Sequence, residues 1–251
     1  MNDVGLSRVG RGWQPKWLAR GRIGGIIAAA VVAATAMVSA PIGVPSAGAE
    51  PCPDIEVVFA RGTGEPPGVG GVGQAFVDAL RGQVGNRSVG VYAVDYLASS
   101  DFANQITFAN TVVDGIRNEG EHVASMAANC PDTRMVLGGY SQGAVVTGFV
   151  TADAIPPGAG ALAPPQPLPP EVANHVAAVA LFGTPSPQFL QTYGAPPIVI
   201  GPLYAPKTTE LCAQGDTICD GTPGGGPTFA HALYPVNGMV GEAAAFAAGR
   251  L

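Results

Sequence analysis

The fold of this chain is decided by the stretch Arg134-Met-Val-Leu-Gly-Gly-Tyr-Ser-Gln-Gly-Ala-Val-Val146. Residues 134–137 predict a short buried strand, and residues 144–150 predict the start of a helix. Between them Gly139-Tyr-Ser-Gln-Gly143 forms a G-x-S-x-G motif, in which a sharp turn lifts the serine clear of both elements. A tight turn that merely contains a serine is the alternative, but strand before and helix after favour a nucleophile at Ser141.

The first 49 residues have the features of a leader rather than of a folded domain. Basic residues precede an apolar run from Ile23 to about Val38, and small residues then lead to Ala47-Gly-Ala49 before Glu50. This order predicts a signal peptide over residues 1–49, cleaved after Ala49, and one domain over residues 50–251. We therefore expect a secreted protein, either free or associated with the cell envelope, without a stable membrane span after cleavage.

Removal of the leader makes the chain strongly acidic. Residues 50–251 keep 7 basic and 17 acidic side chains, a formal charge of −10. Such a surface argues against nucleic acid as a partner and against electrostatic docking on anionic lipid. About 200 residues remain, enough for a single domain with a sizeable core, and we expect a monomer.

Four cysteines remain in this domain, and four cysteines allow three disulfide pairings. No C-x-x-C pair is present, which disfavours a zinc site. We favour Cys52 with Cys130, which ties the start of the domain to the segment before the nucleophile strand. Cys212 with Cys219 then closes a small loop.

Strands and helices alternate along the domain, which predicts an α/β sandwich around a mostly parallel sheet. Apolar patterns predict strands at 55–60, 89–94, 134–137 and 176–182, with a further strand region over 196–202 and 207–212. Helices are predicted at about 72–80, 107–129, 144–150 and 236–248. The Pro/Ala/Gly-rich stretch 155–170 predicts a surface insertion without regular structure.

One motif points to a different class of protein. Residues 68–73 match G-x-G-x-x-G, the dinucleotide fingerprint, and Asp95 follows about twenty residues on. The glycines, however, begin eight residues after Ala60, whereas the fingerprint places them directly at a strand end. An exported chain also has little access to a nicotinamide cofactor, so a flexible glycine loop is the better interpretation.

A serine nucleophile needs a base, and the chain has three histidines. His122 lies within a predicted helix and His175 just before a strand, where structural or solvated roles are expected. His231 follows a Gly/Pro-rich loop that could fold back over the strand ends. Its place after the serine also fits the order serine, acid, histidine.

The acid that orients the base should lie between serine and histidine, where Asp153, Asp216 and Asp220 are candidates. Asp216 is favoured because the proposed Cys212–Cys219 disulfide would hold its loop rigid, and Asp220 is the second choice. For the oxyanion, the backbone N–H of Gln142 is one candidate donor, and Thr63, in the loop after the first strand, is the other. Thr63 could instead only cap a turn.

These residues together resemble the cutinase family, in particular the exported cutinase-like esterases of mycobacterial type. The resemblance spans nearly all of residues 50–251. The motifs that carry it are Ala60-Arg-Gly-Thr63, Gly139-Tyr-Ser-Gln-Gly143, Cys212-x-x-Gly-Asp-x-x-Cys219 and His231-Ala-Leu-Tyr234.

The resemblance implies a small α/β-hydrolase with five parallel strands and no lid. It implies a triad of Ser141, Asp216 and His231, an oxyanion hole at Thr63 and Gln142, and the two disulfides favoured above. The implied activity is hydrolysis of fatty-acid or polyester-type esters through an acyl-enzyme, without metal or organic cofactor. Lipase, phospholipase or acyltransferase activity on the same residues is the alternative, and a non-catalytic secreted binding protein is another.

Two departures from the family pattern bear on the site. Fungal members carry serine where Thr63 stands, and the insertion 155–170 is unusual. In fungal members two loops, corresponding here to 96–102 and 220–230, flank the acyl crevice. The second is mostly glycine and proline here, with Phe229 as its main apolar side chain, which predicts a shallow crevice.

Overall fold

A single parallel sheet of five strands forms the centre of the molecule. The computed structural model describes residues 52–154 and 165–251. The strands are β1 (Ile55–Ala60), β2 (Val89–Ala93), β3 (Arg134–Tyr140), β4 (Val176–Phe182) and β5 (Thr208–Leu211). They pair in the order β2-β1-β3-β4-β5, with every neighbouring pair parallel. The predicted α/β architecture with a five-stranded parallel sheet is confirmed.

Helices cover both faces of this sheet, as parallel strands joined by crossovers require. They are α1 (Gly70–Arg81), α2 (Gln105–Asn129), α3 (Gln142–Val150), the short α4 (Pro187–Thr192) and α5 (Met239–Ala248). One apolar cluster contains side chains of α1 and α5, and the other contains side chains of α2 and α3. Short 3₁₀ helices cover Pro170–His175, Ala205–Lys207 and Phe229–Ala232.

The apolar runs of the sequence become the strands that are covered on both faces. Every residue of β1 and β4 is buried, and β3, which lies between them, is buried except at its two ends. Strands so buried read as continuous apolar segments rather than as alternating ones. Because the strands are parallel, the loops that follow β1, β3, β4 and β5 emerge at one edge of the sheet.

The predicted strand region over 196–202 is wrong, since these residues form no strand and only Thr208–Leu211 joins the sheet. Pro196, Pro197 and Pro202 carry no N–H to donate to a neighbouring strand, which explains the difference. The last helix starts at Met239 rather than near Val236, after Gly238 with φ 93°.

Part of the predicted insertion 155–170 can be compared with the structure. Residues 155–164 lie outside the described residues, as does the predicted leader. Residues 165–169 form neither helix nor strand, whereas Pro170 begins a 3₁₀ helix. The last residue of the predicted stretch therefore lies in regular structure, and the surface insertion itself stays a prediction.

Two disulfides are present, with the favoured pairings. Cys52–Cys130 joins the segment before β1 to the end of α2, across 78 residues of sequence. Cys212–Cys219 joins two cysteines 7 positions apart and closes the loop directly after β5. The first fixes the N-terminal segment to the domain, and the second shapes the loop that contains Asp216.

Candidate active site

Ser141 stands on a strained turn between β3 and α3. Its backbone has φ 54° and ψ −115°, a conformation that non-glycine residues rarely adopt. Its N–H donates to the Phe182 carbonyl oxygen at 2.9 Å, which fixes the turn to the end of β4. Strain of this kind is retained where the surrounding structure holds it, and here it presents the hydroxyl at the edge of the sheet.

The two glycines of the motif are required by backbone contacts. A Cβ on Gly139 would lie 2.2 Å from the Gly143 carbonyl oxygen. A Cβ on Gly143 would lie 2.0 Å from the Ala60 carbonyl oxygen in β1. Since both neighbours are backbone atoms, one in α3 and one in β1, neither could move aside for a side chain. The G-x-S-x-G spacing is thus the condition for α3 to begin directly against β1 and β3.

His231 joins Ser141 to Asp216 in one chain of hydrogen bonds. The Ser141 hydroxyl lies 2.9 Å from Nε2 of His231, and Nδ1 of the same ring lies 2.8 Å from Oδ2 of Asp216. Because a carboxylate can only accept, Nδ1 carries the proton and Nε2 is free to accept from the serine. Ser141 and His231 are each 9% exposed and Asp216 is fully buried. The sequence therefore selected three side chains that the fold brings together.

Asp216 is held by its loop and by three donors. The Cys212–Cys219 disulfide closes that loop. The carboxylate accepts from His231, from the Tyr234 hydroxyl at 2.7 Å and from the Ile218 N–H at 3.2 Å. Burial by itself would raise the pKa of Asp216, but the hydrogen bonds from His231 and Tyr234 outweigh it and hold the pKa below its ordinary value. Asp216 is thus an ionised, oriented partner for the imidazole.

The two candidate oxyanion donors are backbone N–H groups at the ends of neighbouring strands. Gln142 is the first residue of α3, so its N–H has no acceptor within the helix and lies at the positive end of the helix dipole. Thr63 lies in the turn after β1, and within the described residues its N–H donates to no protein group. Both follow strands that are neighbours in the sheet, β3 and β1.

The Thr63 turn is braced by charged and aromatic side chains. Arg61 is buried, and its guanidinium donates to the carbonyl oxygens of Tyr96, Val94 and, at 2.9 Å, Glu65. The Glu65 carboxylate in turn accepts from the Gly62 N–H at 2.6 Å. The Tyr96 hydroxyl donates to the Arg61 carbonyl oxygen. A turn held from both sides keeps its donors oriented before substrate arrives.

The other histidines have partners elsewhere. Nε2 of His122 lies 2.9 Å from Oε2 of Glu56, and its ring stacks on Tyr92. Nδ1 of His175 donates to the Pro131 carbonyl oxygen at 3.1 Å. Both therefore have the structural roles that the sequence predicted.

The two remaining candidate acids do not contact His231. Asp153 follows the end of α3 that is remote from Ser141. Asp220 accepts from the Thr222 N–H at 2.9 Å within its own loop. Of the three carboxylates considered, Asp216 is the one that His231 binds.

Apolar side chains lie on the loops that surround the serine. The loop after β2 contacts the nucleophile turn, since the Gln142 side chain donates to the Ser99 carbonyl oxygen at 3.3 Å. Phe102 of this loop packs against Phe108 and Tyr193, with ring centroids 4.9 and 5.8 Å apart. Phe229 lies two residues before His231 and is 79% exposed. The loop that contacts the nucleophile turn and the segment that contains His231 thus both carry exposed apolar side chains, Leu97, Phe102 and Phe229, which we call the apolar rim.

The sequence interpretation gave no role to two tyrosines that touch the site. The Tyr140 hydroxyl donates to the His231 carbonyl oxygen at 2.6 Å, and its ring lies 5.0 Å from the imidazole. Tyr234 donates to Asp216, as described above. Their places in the sequence, directly before the serine and three residues after the histidine, were the available signal.

Within residues 52–154 and 165–251, no group of three or more His, Cys, Asp or Glu side chains is arranged to hold a metal ion. No helix in the same residues combines the length and the apolar character that crossing a membrane requires.

Comparison with known proteins places the chain in one family. The cutinase family model matches residues 51–251. The probable carboxylesterase Culp7 of Mycobacterium tuberculosis (strain ATCC 25618 / H37Rv) is 62% identical over 169 residues, which are 67% of this chain and 88% of Culp7. The phospholipase Culp4 of the same strain is 44% identical over 230 residues, 92% of each chain.

A solved structure shares the same fold. Trichoderma reesei cutinase in complex with a C11Y4 phosphonate inhibitor matches with a TM-score of 0.57 and 32% identity, over 79% of this chain and 77% of that one. The strained serine turn and the hydrogen-bonded histidine are consistent with the esterase activity for which these relatives are named. The chain belongs to the cutinase family and is a serine-dependent carboxylic ester hydrolase.

Proposed function

We propose that Ser141, His231 and Asp216 are the catalytic triad of an esterase that acts on fatty-acid or polyester-type esters. The observation that carries the proposal is the continuous hydrogen-bond chain from the serine hydroxyl to a buried carboxylate, with distances of 2.9 and 2.8 Å. A non-catalytic binding protein would have no need to hold a serine at φ 54° against an oriented imidazole.

The geometry supports a two-step acyl transfer. As the Ser141 oxygen bonds to the ester carbonyl carbon, its proton passes to Nε2 of His231, and Asp216 stabilises the imidazolium without taking the proton. The carbonyl oxygen becomes an oxyanion that accepts from the N–H groups of Thr63 and Gln142. The bond to the leaving oxygen then breaks, and that oxygen takes the proton from Nε2, which leaves an acyl-enzyme.

The second step repeats this chemistry with water. His231 accepts a proton from a water molecule whose oxygen bonds to the acyl carbon, and the oxyanion again rests on the two N–H groups. Collapse of this intermediate breaks the bond to the Ser141 oxygen, which takes back its proton from Nε2. A carboxylic acid leaves, and the enzyme returns to its starting state without any cofactor.

The apolar rim supports a substrate with hydrocarbon character. Leu97, in the loop that contacts the nucleophile turn, is 69% exposed, and Phe229, two residues before His231, is 79% exposed. Exposed apolar side chains gain free energy by covering an acyl chain, about 0.8 kcal/mol for each buried methylene group. The rim therefore favours fatty or polyester-type acyl groups over acetyl groups.

Phospholipid is a second candidate substrate, because the relative named phospholipase Culp4 is 44% identical to this chain. The acidic surface of residues 50–251 opposes docking on anionic lipid, which makes simple esters the favoured class. Acyl transfer to an alcohol other than water would use the same acyl-enzyme.

A series of p-nitrophenyl esters from acetyl to palmitoyl, assayed beside a polyester film and phosphatidylcholine vesicles, tests the substrate class. We expect kcat/KM to rise about tenfold or more from acetyl to the preferred chain, because each added methylene group contacts the rim. Leu97→Ser combined with Phe229→Ser should flatten the series. Val199→Ser is the matched control, since this residue is also exposed but lies near the remote end of α3.

Two outcomes would contradict the proposed substrate class. Faster release of fatty acid from phosphatidylcholine than from any simple ester would support a phospholipase instead. A series that is flat in the unmodified enzyme would show that the rim does not bind the acyl chain.

We also propose that residues 1–49 are a signal peptide and that the mature enzyme is secreted as a monomer that begins at Glu50. Two disulfides suit an oxidising compartment outside the cytoplasm. N-terminal sequencing of the exported protein should read Glu50-Pro-Cys52, and light scattering should give the mass of one mature chain. A first residue other than Glu50 would contradict the cleavage site, and a larger mass would contradict the monomer.

A further inference from the structure

Tyr234 shares one oxygen of Asp216 with His231. Its hydroxyl donates to Oδ2 of Asp216 at 2.7 Å, and Nδ1 of His231 donates to the same oxygen at 2.8 Å. The Tyr234 oxygen also accepts from the Ala213 N–H at 3.0 Å. The side chain is fully buried, and its ring meets the imidazole edge-on at 6.3 Å.

The contact with Ala213 fixes the direction of the phenol proton. The hydroxyl has a single proton and already accepts from Ala213. Its other contacts are the carboxylate at 2.7 Å and the Cys219 sulfur at 3.5 Å, and since sulfur is the much weaker acceptor, the proton points at the carboxylate. Burial is the main reason that the pKa of Tyr234 lies well above its ordinary value, which keeps the phenol protonated. Asp216 therefore accepts a permanent charge-assisted hydrogen bond from a side chain that cannot rotate away.

We propose that Tyr234 is a positioning residue, which orients the Asp216 carboxylate and limits how much of its negative charge acts on His231. The inference rests on the proposed triad and adds a fourth side chain to it. The phenol stabilises negative charge on the same carboxylate oxygen, Oδ2, that accepts from His231. It thereby adjusts the strength with which Asp216 favours the protonated base.

Few other ionisable groups face this carboxylate. His231 and Tyr234 come from the C-terminal segment, and Tyr140 faces it from the end of β3. Glu65, in the loop after β1, acts on Tyr140. The hydrogen bonds from His231 and from Tyr234 are the strongest of the interactions that oppose burial and hold the pKa of Asp216 low. Removal of the phenol hydroxyl should therefore mainly change the interaction between Asp216 and His231.

The sign of the effect follows from the charge. Without the Tyr234 hydroxyl, Oδ2 of Asp216 directs more negative charge at the His231 ring and stabilises the imidazolium more strongly. The base is then protonated at a higher pH, so the acidic limb of the kcat/KM profile moves upward. If Tyr234 only filled space, its replacement would lower the melting temperature but would not move the acidic limb of the kcat/KM profile.

The Tyr234→Phe variant tests the inference directly. We expect kcat to fall about tenfold with KM little changed, and the acidic limb to rise by roughly half a pH unit, as loss of one hydrogen bond to a charged group implies. Tyr204→Phe is the control for the loss of a buried hydroxyl, because its oxygen has no partner among the described residues, and the acidic limb of this variant should stay in place.

A second variant covers the case in which Tyr234→Phe folds poorly. Site-specific incorporation of 3-fluorotyrosine at position 234 makes the phenol more acidic and strengthens its hydrogen bond, so the acidic limb should move downward. Combination with Asp216→Ala adds a further test. In that background Tyr234→Phe should change kcat less than about twofold, since the two residues act as a unit.

Each contrary result has a distinct meaning. An acidic limb that stays in place in both Tyr234 variants, or an equal loss of kcat with and without Asp216, would overturn this inference alone, provided that Ser141→Ala is inactive. Full activity of Ser141→Ala would instead overturn the proposed triad and this inference with it.

Discussion

Replacing Gly143 by alanine is expected to destabilise the protein more than any other single methyl group added to the serine motif. The new Cβ would lie 2.0 Å from the Ala60 carbonyl oxygen and 2.6 Å from that of Arg61. Both are backbone atoms at the end of β1, which pairs with β3 along its whole length. Relief of the clash would need the strands or α3 to separate. We expect a loss of about 4 kcal/mol or more, a large part of the roughly 5–15 kcal/mol typical of a domain.

Gly120→Ala is the matched control for this change. Gly120 lies inside α2, and a Cβ there would meet no atom within 4 Å. Alanine in such a helical position should stabilise by about 0.5–1 kcal/mol. Thermal and denaturant unfolding of the two variants should therefore move in opposite directions. If the Gly143→Ala variant had the same melting temperature as the unmodified protein, the packing account of the motif would be contradicted.

The strands of the sheet could be predicted because a strand that is buried on both faces appears in the sequence as a continuous run of apolar residues. β4 is seven apolar residues in succession, and β1 has a similar run interrupted by Glu56. A segment of this kind has few alternatives to a central strand. The glycine motif added a fixed point, because the same five residues end one strand and begin one helix.

The strand predicted over 196–202 does not form, although its local sequence resembles that of the true strands. Ile198, Val199 and Ile200 have strong strand propensity, but the prolines around them cannot donate the hydrogen bonds of a ladder. The segment packs against the domain without joining the sheet: Ile198 and Ile200 contact the apolar cluster, and Gly201 donates to the Thr151 carbonyl oxygen at 2.9 Å. Propensity alone does not reveal this.

Site residues could be predicted where the reaction requires a particular residue type at a particular place in the chain order. Residues that act by packing or by bracing the site could not be predicted. Three histidines and the order serine, acid, histidine left few options for a base. Tyr234 and Arg61 had no such constraint, because a buried hydroxyl or guanidinium can have many roles. Asp216, the partner of Tyr234, lies 18 residues away in the sequence, and Tyr96, one of the partners of Arg61, lies 35 residues away, so only the folded chain reveals these contacts.

Ser141→Ala is expected to reduce ester hydrolysis by about 10⁴-fold or more, since removal of the nucleophile of a triad leaves only oxyanion stabilisation and binding. The fold should be retained, because the turn is held by backbone bonds and by Gly139 and Gly143 rather than by the hydroxyl. His231→Ala should lose a similar factor, and the double variant should lose little more, as expected for side chains that act as a unit. His175→Ala, which alters a histidine bound to a backbone carbonyl, should keep full activity.

The central claim is that the Ser141 hydroxyl, activated by His231, attacks the ester. Its most direct test is kcat/KM for p-nitrophenyl butyrate, measured on the mature protein and on folded Ser141→Ala. The account predicts a fall of about 10⁴-fold or more in the variant. Equal rates for the two proteins would contradict it.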